Sequence, residues 1–390
     1  MSLSRTLRVL SISSLALAAG CVQTGGEFGS FGGPTPPEFS VFAAAPAEGA
    51  VASIDYGAYA QLLSTIVYDV GRSDRIPASQ PQAQTGSRIQ RQNTSRYRLE
   101  ANRIVFSIQP KALEEVTAEI VASFKAVAES ETYDKLSDRG RLAFWLNFHN
   151  ALLINQMAAQ YPFQRVNNLN AVGTRTSVFS TDLVTVRGVP LSLNDIKYNI
   201  IFENWSDPIV LYGLYTGAVG GPNIRKDPYT AGSVREDLRS NAREFVNSLR
   251  GVEIEGGPNR ISRIYANADM LFPRGADDII SHMLEFANTD TRSSLNRGGA
   301  VRADVFDWTI ADISYGEMPP PISQTWSLGP EGLVGDFRAL GLTPQAEQFI
   351  AEVENRKFQI FKRNGGSVTI NDIPIAGPET EPDDEDDASE

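Results

Sequence analysis

The sequence predicts an α+β fold: a mostly helical single domain around a buried central helix, with a small antiparallel sheet. Three observations predict it. From Arg141 to Pro162 (RLAFWLNFHNALLINQMAAQYP), Leu142, Trp145, Leu146, Leu152, Leu153 and Met157 recur at helical spacing. Phe144, Phe148 and Ala151 fill a second row, so apolar side chains cover most of the circumference and the helix belongs in a core. An apolar content of 42% over 390 residues supplies enough material to bury it. Leu183 to Leu191 (LVTVRGVPL) alternates about Arg187-Gly188, the pattern of a short hairpin.

The N-terminus stands apart from that domain. Arg5 and Arg8 precede an apolar run from Val9 to Ala19, too short to span a bilayer and shaped like a signal peptide over residues 1–20. It ends Leu17-Ala18-Ala19-Gly20-Cys21, which resembles the bacterial lipobox and makes Cys21 the expected lipidation site. The chain has one cysteine, so lipidation leaves no thiol nucleophile, disulfide or cysteine metal ligand. Val22 in place of an aspartate implies sorting to the outer membrane, facing the periplasm, with the lipid as the membrane contact. The Gly- and Pro-rich tract from Thr24 to Glu48, within residues 21–50, is expected to be a tether.

The domain proper is expected over residues 51–314. Tyr56, Tyr59, Leu62, Leu63, Ile66 and Val67 make an amphipathic first helix. The polar stretch from Arg75 to Arg98 reads as a surface excursion. A second helix starts at Pro110, a favoured first-turn residue, with Leu113, Val116, Ile120, Phe124 and Val127 on one stripe. Ser137 can cap the central helix, and Pro162 disfavours its continuation. After the hairpin, Ser192 or Asn194 can cap LNDIKYNIIF, and Pro208 to Tyr215 (PIVLYGLY) has the β-branched, apolar character of a buried strand. Thr216 to Tyr229 is a glycine-rich loop, and Ser233 with Glu236 has capping-box spacing before a helix that ends at Gly251. Strands follow at VEIE and ISRIY about a Gly256-Gly257-Pro258 turn, then a helix from Gly275 to Ala287 whose His282 is expected at the surface. Val305 to Ser314 (VFDWTIADIS) closes the core. Residues 315–377 form a C-terminal helical extension in which Thr343-Pro344 opens a helix and Gly365 ends it; residues 378–390 are an acidic tail expected to be disordered.

The net charge of −12 becomes near −14 without Arg5 and Arg8, and eight acidic residues crowd between Glu379 and Glu390. No basic excess remains for nucleic acid, which is excluded as an expected partner.

Asn147, His149 and Asn150 are the polar exceptions on the central helix, and each costs a few kcal/mol if buried unpartnered. Two readings are open. Asn147 and Asn150, three apart on one face, can hold the backbone of neighbouring loops, with His149 a satisfied core histidine. Alternatively they floor a pocket, with Tyr198 from the next helix and Thr216, Gly217, Gly220, Gly221 and Arg225 from the loop around it.

Four segments fall in the order of the bacterial and plant domain-of-unknown-function family 547. They are Trp145, Asn147, Asn150 and Ala151; GVPLSLNDI ending at Ile196; the loop TGAVGGPNIR; and the closing ISRIY and DWTIADIS. The chain resembles that family from about Asp55 to Ser314. The family has tyrosine at the position of His149. Its Glu-His pair falls on Lys197-Tyr198, its arginine on Phe202 and its two loop cysteines on Thr216 and Gly221, while Gly217, Ala218, Pro222 and Arg225 are retained. A histidine and a cysteine brought together by one helix and one loop would suit thiol catalysis. This chain has neither at those positions, so the resemblance implies the scaffold of such a site without its chemistry.

Other chemistries find little support. His149 and His282 are the only histidines, with no GxSxG elbow and no HExxH spacing, so no metal or cofactor is expected. Paired carboxylates need only two acids with separated pKa values, and Asp195, Glu203, Asp207, Asp227, Glu236 and Asp237 surround the loop in sequence. The GAVGG run fits neither GxGxxG nor the P-loop. The expectation is a lipid-anchored envelope protein that binds an unidentified ligand or protein partner, with no catalytic residues. The alternative is an envelope hydrolase using Asp or Glu, with His149 assisting.

Overall fold

The central helix forms for local reasons and is buried for non-local ones. In the computed structural model, which describes residues 33–43, 52–80, 93–107, 109–253, 259–266, 268–297, 301–318 and 342–363, it spans Asp138–Gln160. The Ser137 hydroxyl accepts from Gly140 N at 3.0 Å and the helix stops before Tyr161-Pro162, as its sequence predicts. From Gly140 to Ile154 every residue is buried, Asn147, His149 and Asn150 included. We number it α4, after α1 (Gly57–Ile66), α2 (Pro110–Glu129) and the short α3 (Glu131–Asp134). Pro110 sits in the first turn of α2, as predicted. Phe124 of α2 stacks on Phe148 at 5.6 Å, and Trp145 donates from its indole to the Tyr133 hydroxyl at 2.8 Å, which satisfies the polar edge of a fully buried ring.

The sheets are small. Strands β1 (Val67–Tyr68) and β2 (Arg103–Ile104) form one antiparallel pair, and β3 (Val184–Val186) with β4 (Val189–Leu191) form the predicted hairpin. Arg187 and Gly188 both adopt positive φ (50° and 80°) at its turn, the combination that matches strand twist. In the third sheet β5 (Val252–Glu253) pairs antiparallel with β6 (Asn259–Ser262), and β6 pairs parallel with β7 (Val301–Val305). The expected small antiparallel sheet is present, and β7 adds one parallel edge to it.

Beyond the hairpin, Ser192 is the cap in use: its hydroxyl accepts from Asp195 N at 3.1 Å while Asp195 Oδ2 accepts from Ser192 N at 2.9 Å. The helix continues with a π segment, Asp195–Phe202. α5 (Val234–Val246), α6 (Ala276–Phe286), α7 (Thr289–Leu295) and α8 (Pro344–Arg363) complete the chain.

Several expectations are corrected. Pro208–Gly213 is a 3-10 helix and not a strand, because the Asp207 carboxylate accepts from Ile209 N at 3.1 Å and Pro208 occupies the first turn; these start signals outweigh β-branched composition. Ser233 does not cap α5: its own N–H goes to Thr230 Oγ1, three residues earlier, and Glu236 pairs with Arg243. His282 is buried against Tyr212, Phe272 and Phe286, since it shares the stripe Ile279, His282, Met283 and Phe286 on α6. Part of the expected tether docks on the body: Pro37–Phe42 is a 3-10 helix, and Phe42 packs edge-on against Trp145 at 5.2 Å. The ends of the expected surface excursion are anchored too, with Arg75 donating to Ser248 O and Arg98 buried beside Glu352. The signal peptide with Cys21, the Gly256-Gly257-Pro258 turn, Gly365 and the acidic tail lie outside the described residues.

α8 is part of the same body. Phe349, Ile350 and Val353 pack with Val70, Val105, Ile313 and Tyr315. Arg356 reaches in to Glu100 at 2.7 Å and Asp74 at 2.7 Å, and Arg250 meets the same Glu100 at 3.5 Å and Glu244 at 2.6 Å.

Candidate functional site

The first of the two readings holds for the asparagines. Asn147 spans the backbone of Tyr229, its Oδ1 accepting from Tyr229 N at 3.0 Å and its Nδ2 donating to Tyr229 O at 2.8 Å. Asn150 does the same for the strand-like exit of the 3-10 helix: Oδ1 accepts from Tyr215 N at 2.9 Å and Nδ2 donates to Gly213 O at 3.0 Å. Each amide thus satisfies one backbone donor and one acceptor that would otherwise be buried unpaired. Together they pin both ends of the loop that runs from Thr216 to Tyr229 to one face of α4.

That loop is packed, not open. A Cβ on Gly221 would overlap Thr216 Oγ1 and come within 2.8 Å of Thr216 Cβ; one on Gly220 would overlap the Asp307 backbone. Gly217, at φ +75°, would put a Cβ 2.8 Å from Met157 Sδ. Arg250 fastens the loop from behind by donating to Gly221 O at 2.9 Å and to Asn223 Oδ1 at 3.0 Å. The closing segment crosses it as well, with a bridge between Ala218 and Ile310 and Val219 N donating to Thr309 O at 2.9 Å. Thr216 therefore fills the space that a side chain at position 221 would take. Gly221→Ala is expected to cost about 1–3 kcal/mol through overpacking, and most of that should return when Thr216→Gly is added. Thermal melts of the two single variants and the double check it; strictly additive losses would mean that the two positions do not compete for one space.

Beside the loop lies a cavity of about 20 Å³, room for a single water. His149 and Thr216 line it, joined by Asn194, Lys197, Tyr215 and Pro222. The other residues expected around a pocket go elsewhere: Asn147 and Asn150 to backbone, Arg225 to Asp237 at 2.6 Å, and Tyr198 to an edge-on contact with Phe202 at 5.3 Å. Lys197, and not Tyr198, is the residue of that pair at the cavity. Sequence reasoning missed Lys197 because the π segment winds more than 3.6 residues per turn, so helical spacing misassigns which side chains share a face; Asn194, just before that segment, was considered only as a cap.

Burial drives the His149 imidazole down to about 4, the Asn150 amide opposes this and nearby Lys197 adds to it. It is neutral at pH 7, with Nδ1 3.1 Å from Asn150 Oδ1. Burial also lowers His282 to about 4. A base with so low a pKa abstracts protons weakly at neutral pH. The candidate carboxylates are engaged in structural roles: Asp195 in its capping box, Asp207 at Ile209 N, Asp237 with Arg225, Glu236 with Arg243, and Glu203 as acceptor from Thr35. None of them, nor Asp227, lines the His149 cavity. Among the described residues, no group of three His, Cys, Asp or Glu side chains is placed to hold a metal ion.

These features define a mostly helical α+β domain whose central helix pins a glycine-rich loop through two asparagine amides. Residues 133–246 match the family model described as Protein of unknown function, DUF547, the family that the sequence resembles. The match takes in the central helix, the hairpin and the loop; ISRIY and DWTIADIS lie beyond it. No curated protein and no solved structure matches the chain.

Proposed function

We propose that the protein is a lipid-anchored component of the bacterial cell envelope, held at the outer membrane through Cys21 and facing the periplasm, whose domain binds a ligand or a protein partner without turnover. The observation that supports the non-catalytic reading is the crowding of Thr216 against Gly221, where the second of the family's two loop cysteines would stand. A thiol there has no space, and the adjoining cavity of about 20 Å³ admits no substrate group larger than water. The anchoring half rests on the small residues before the lone cysteine.

Cys21→Ser is expected to block incorporation of labelled palmitate and to shift the protein from the membrane to the soluble fraction or leave it as precursor. Unchanged membrane partition and processing would refute the anchor. Incubation of purified envelope fractions with the protein tests turnover. Release of a product that disappears with His149→Ala would refute binding without catalysis and favour the carboxylate-type hydrolase.

A further inference from the structure

A groove of about 500 Å³ opens between α1 and α2, separate from the loop and its cavity. Leu62, Leu113, Val116, Ile120, Phe124 and Val127 give it an apolar floor, and Val116 stays 37% exposed there. Gln61, Thr65, Gln109 and Ser123 put hydrogen-bonding groups among them. Two carboxylates, Asp55 and Glu119, also line the groove, and no lysine, arginine or histidine does among the described residues. The Asp55 carboxylate accepts from Gly57 N at 2.8 Å at the start of α1, which fixes one of the two charges in place.

We propose that this groove takes an amphipathic helix of a partner protein, with a stripe of large apolar side chains flanked by Lys or Arg. The proposal rests on the binding reading above and gives it a partner class. Charge complementarity selects the occupant. A fatty acid or anionic lipid would bring negative charge to two carboxylates with no cation among the described lining residues to receive it, whereas flanking lysines would meet Asp55 and Glu119. Size agrees. The α2 residues on the groove run from Ala112 to Val127 at three- and four-residue steps, about 22 Å of helix, the length of a partner helix of about four turns. The volume has room for about three large side chains, the number that an i, i+3/i+4, i+7 stripe presents. With polar groups around an apolar centre, the groove has the anatomy of a helix-docking interface.

The test is fluorescence anisotropy of the full chain with a labelled 18-residue helical peptide carrying leucines at i, i+3, i+4 and i+7 and lysines elsewhere, beside the same peptide with glutamates for lysines. Saturable binding of the lysine peptide is expected, with none for the glutamate peptide. Ala112→Trp, which places an indole in the middle of the groove, should abolish it, and Glu119→Lys should weaken it at least tenfold at low salt; circular dichroism melts verify that both variants are folded. Lysine-peptide binding unaffected by Ala112→Trp would overturn the proposal, as would no binding at all. Palmitate binding that Ala112→Trp removes, with no peptide binding, would make the occupant an acyl chain, overturning the helix while leaving binding without turnover intact. Self-association lost on Ala112→Trp would assign the groove to a second copy and likewise overturn it. Turnover of envelope material, measured separately, is the result that would fell the underlying reading.

Discussion

Glu100→Gln is expected to remove about 3–5 kcal/mol of folding free energy, the range for breaking a buried ion pair by removing one partner. The Glu100 side chain is 2% exposed and faces two guanidiniums that are themselves buried, Arg356 at 2.7 Å and Arg250 at 3.5 Å. Burial alone would raise its pKa, but Arg356 and Arg250, with hydrogen bonds from Arg356 and Ser73, more than offset this and hold it below its ordinary 4.5. A carboxyl depressed in the folded state contributes stability above its unfolded pKa, and that contribution is lost as pH falls through the folded value. The wild-type protein should therefore lose stability on acidification below about 4.5, and the glutamine variant should lose less over the same interval because its share is already gone. Urea unfolding at neutral and acidic pH measures both. The consequence reaches the loop, since Arg250 also donates to Gly221 O. A loss under about 1 kcal/mol would mean that Asp74 and Glu244 hold the two arginines without Glu100.

Asn147→Leu and Asn150→Leu are each expected to cost about 2–5 kcal/mol, because each strands one buried N–H and one buried C=O. The backbone groups concerned are those of Tyr229 for Asn147 and of Gly213 and Tyr215 for Asn150. Aspartate is the sharper probe. Asn150→Asp keeps an acceptor for Tyr215 N but turns a carboxylate toward Gly213 O, so it should be destabilised at pH 7 and partly recover when acid protonates it to an O–H donor. Chemical denaturation across pH reads this directly. Full stability in either leucine variant would mean that the loop does not depend on α4 for its hydrogen bonds.

Much of the fold was legible because its cues are local. Ser137 before a helical stripe, Pro110 in a first turn, Arg187-Gly188 between alternating residues and Pro344 opening α8 all act within a few residues, so a sequence pattern contains the whole interaction. The polar residues of α4 were also legible as a question, since a buried amide demands a partner wherever it comes from. Local cues were overlooked at Asp207-Pro208, where start signals lay inside β-branched composition, and at His282, which sits in an apolar i, i+3, i+4, i+7 stripe.

The sequence alone therefore determined that a mostly helical domain would bury the helix of Asn147 and Asn150, and its resemblance to a family drew attention to Tyr198, Thr216 and Gly221. Only the tertiary structure decided which of these meet. It turns Lys197 to the His149 cavity in place of Tyr198, sets Thr216 into the space left by Gly221, brings Arg250 and Arg356 to one buried Glu100, and leaves a groove between α1 and α2. The physical reason is separation along the chain. Glu100 and Arg356 meet across 256 residues and Asn147 meets Tyr229 across 82, and no local periodicity specifies such a contact; it is fixed when the whole core is packed and its buried polar groups find partners.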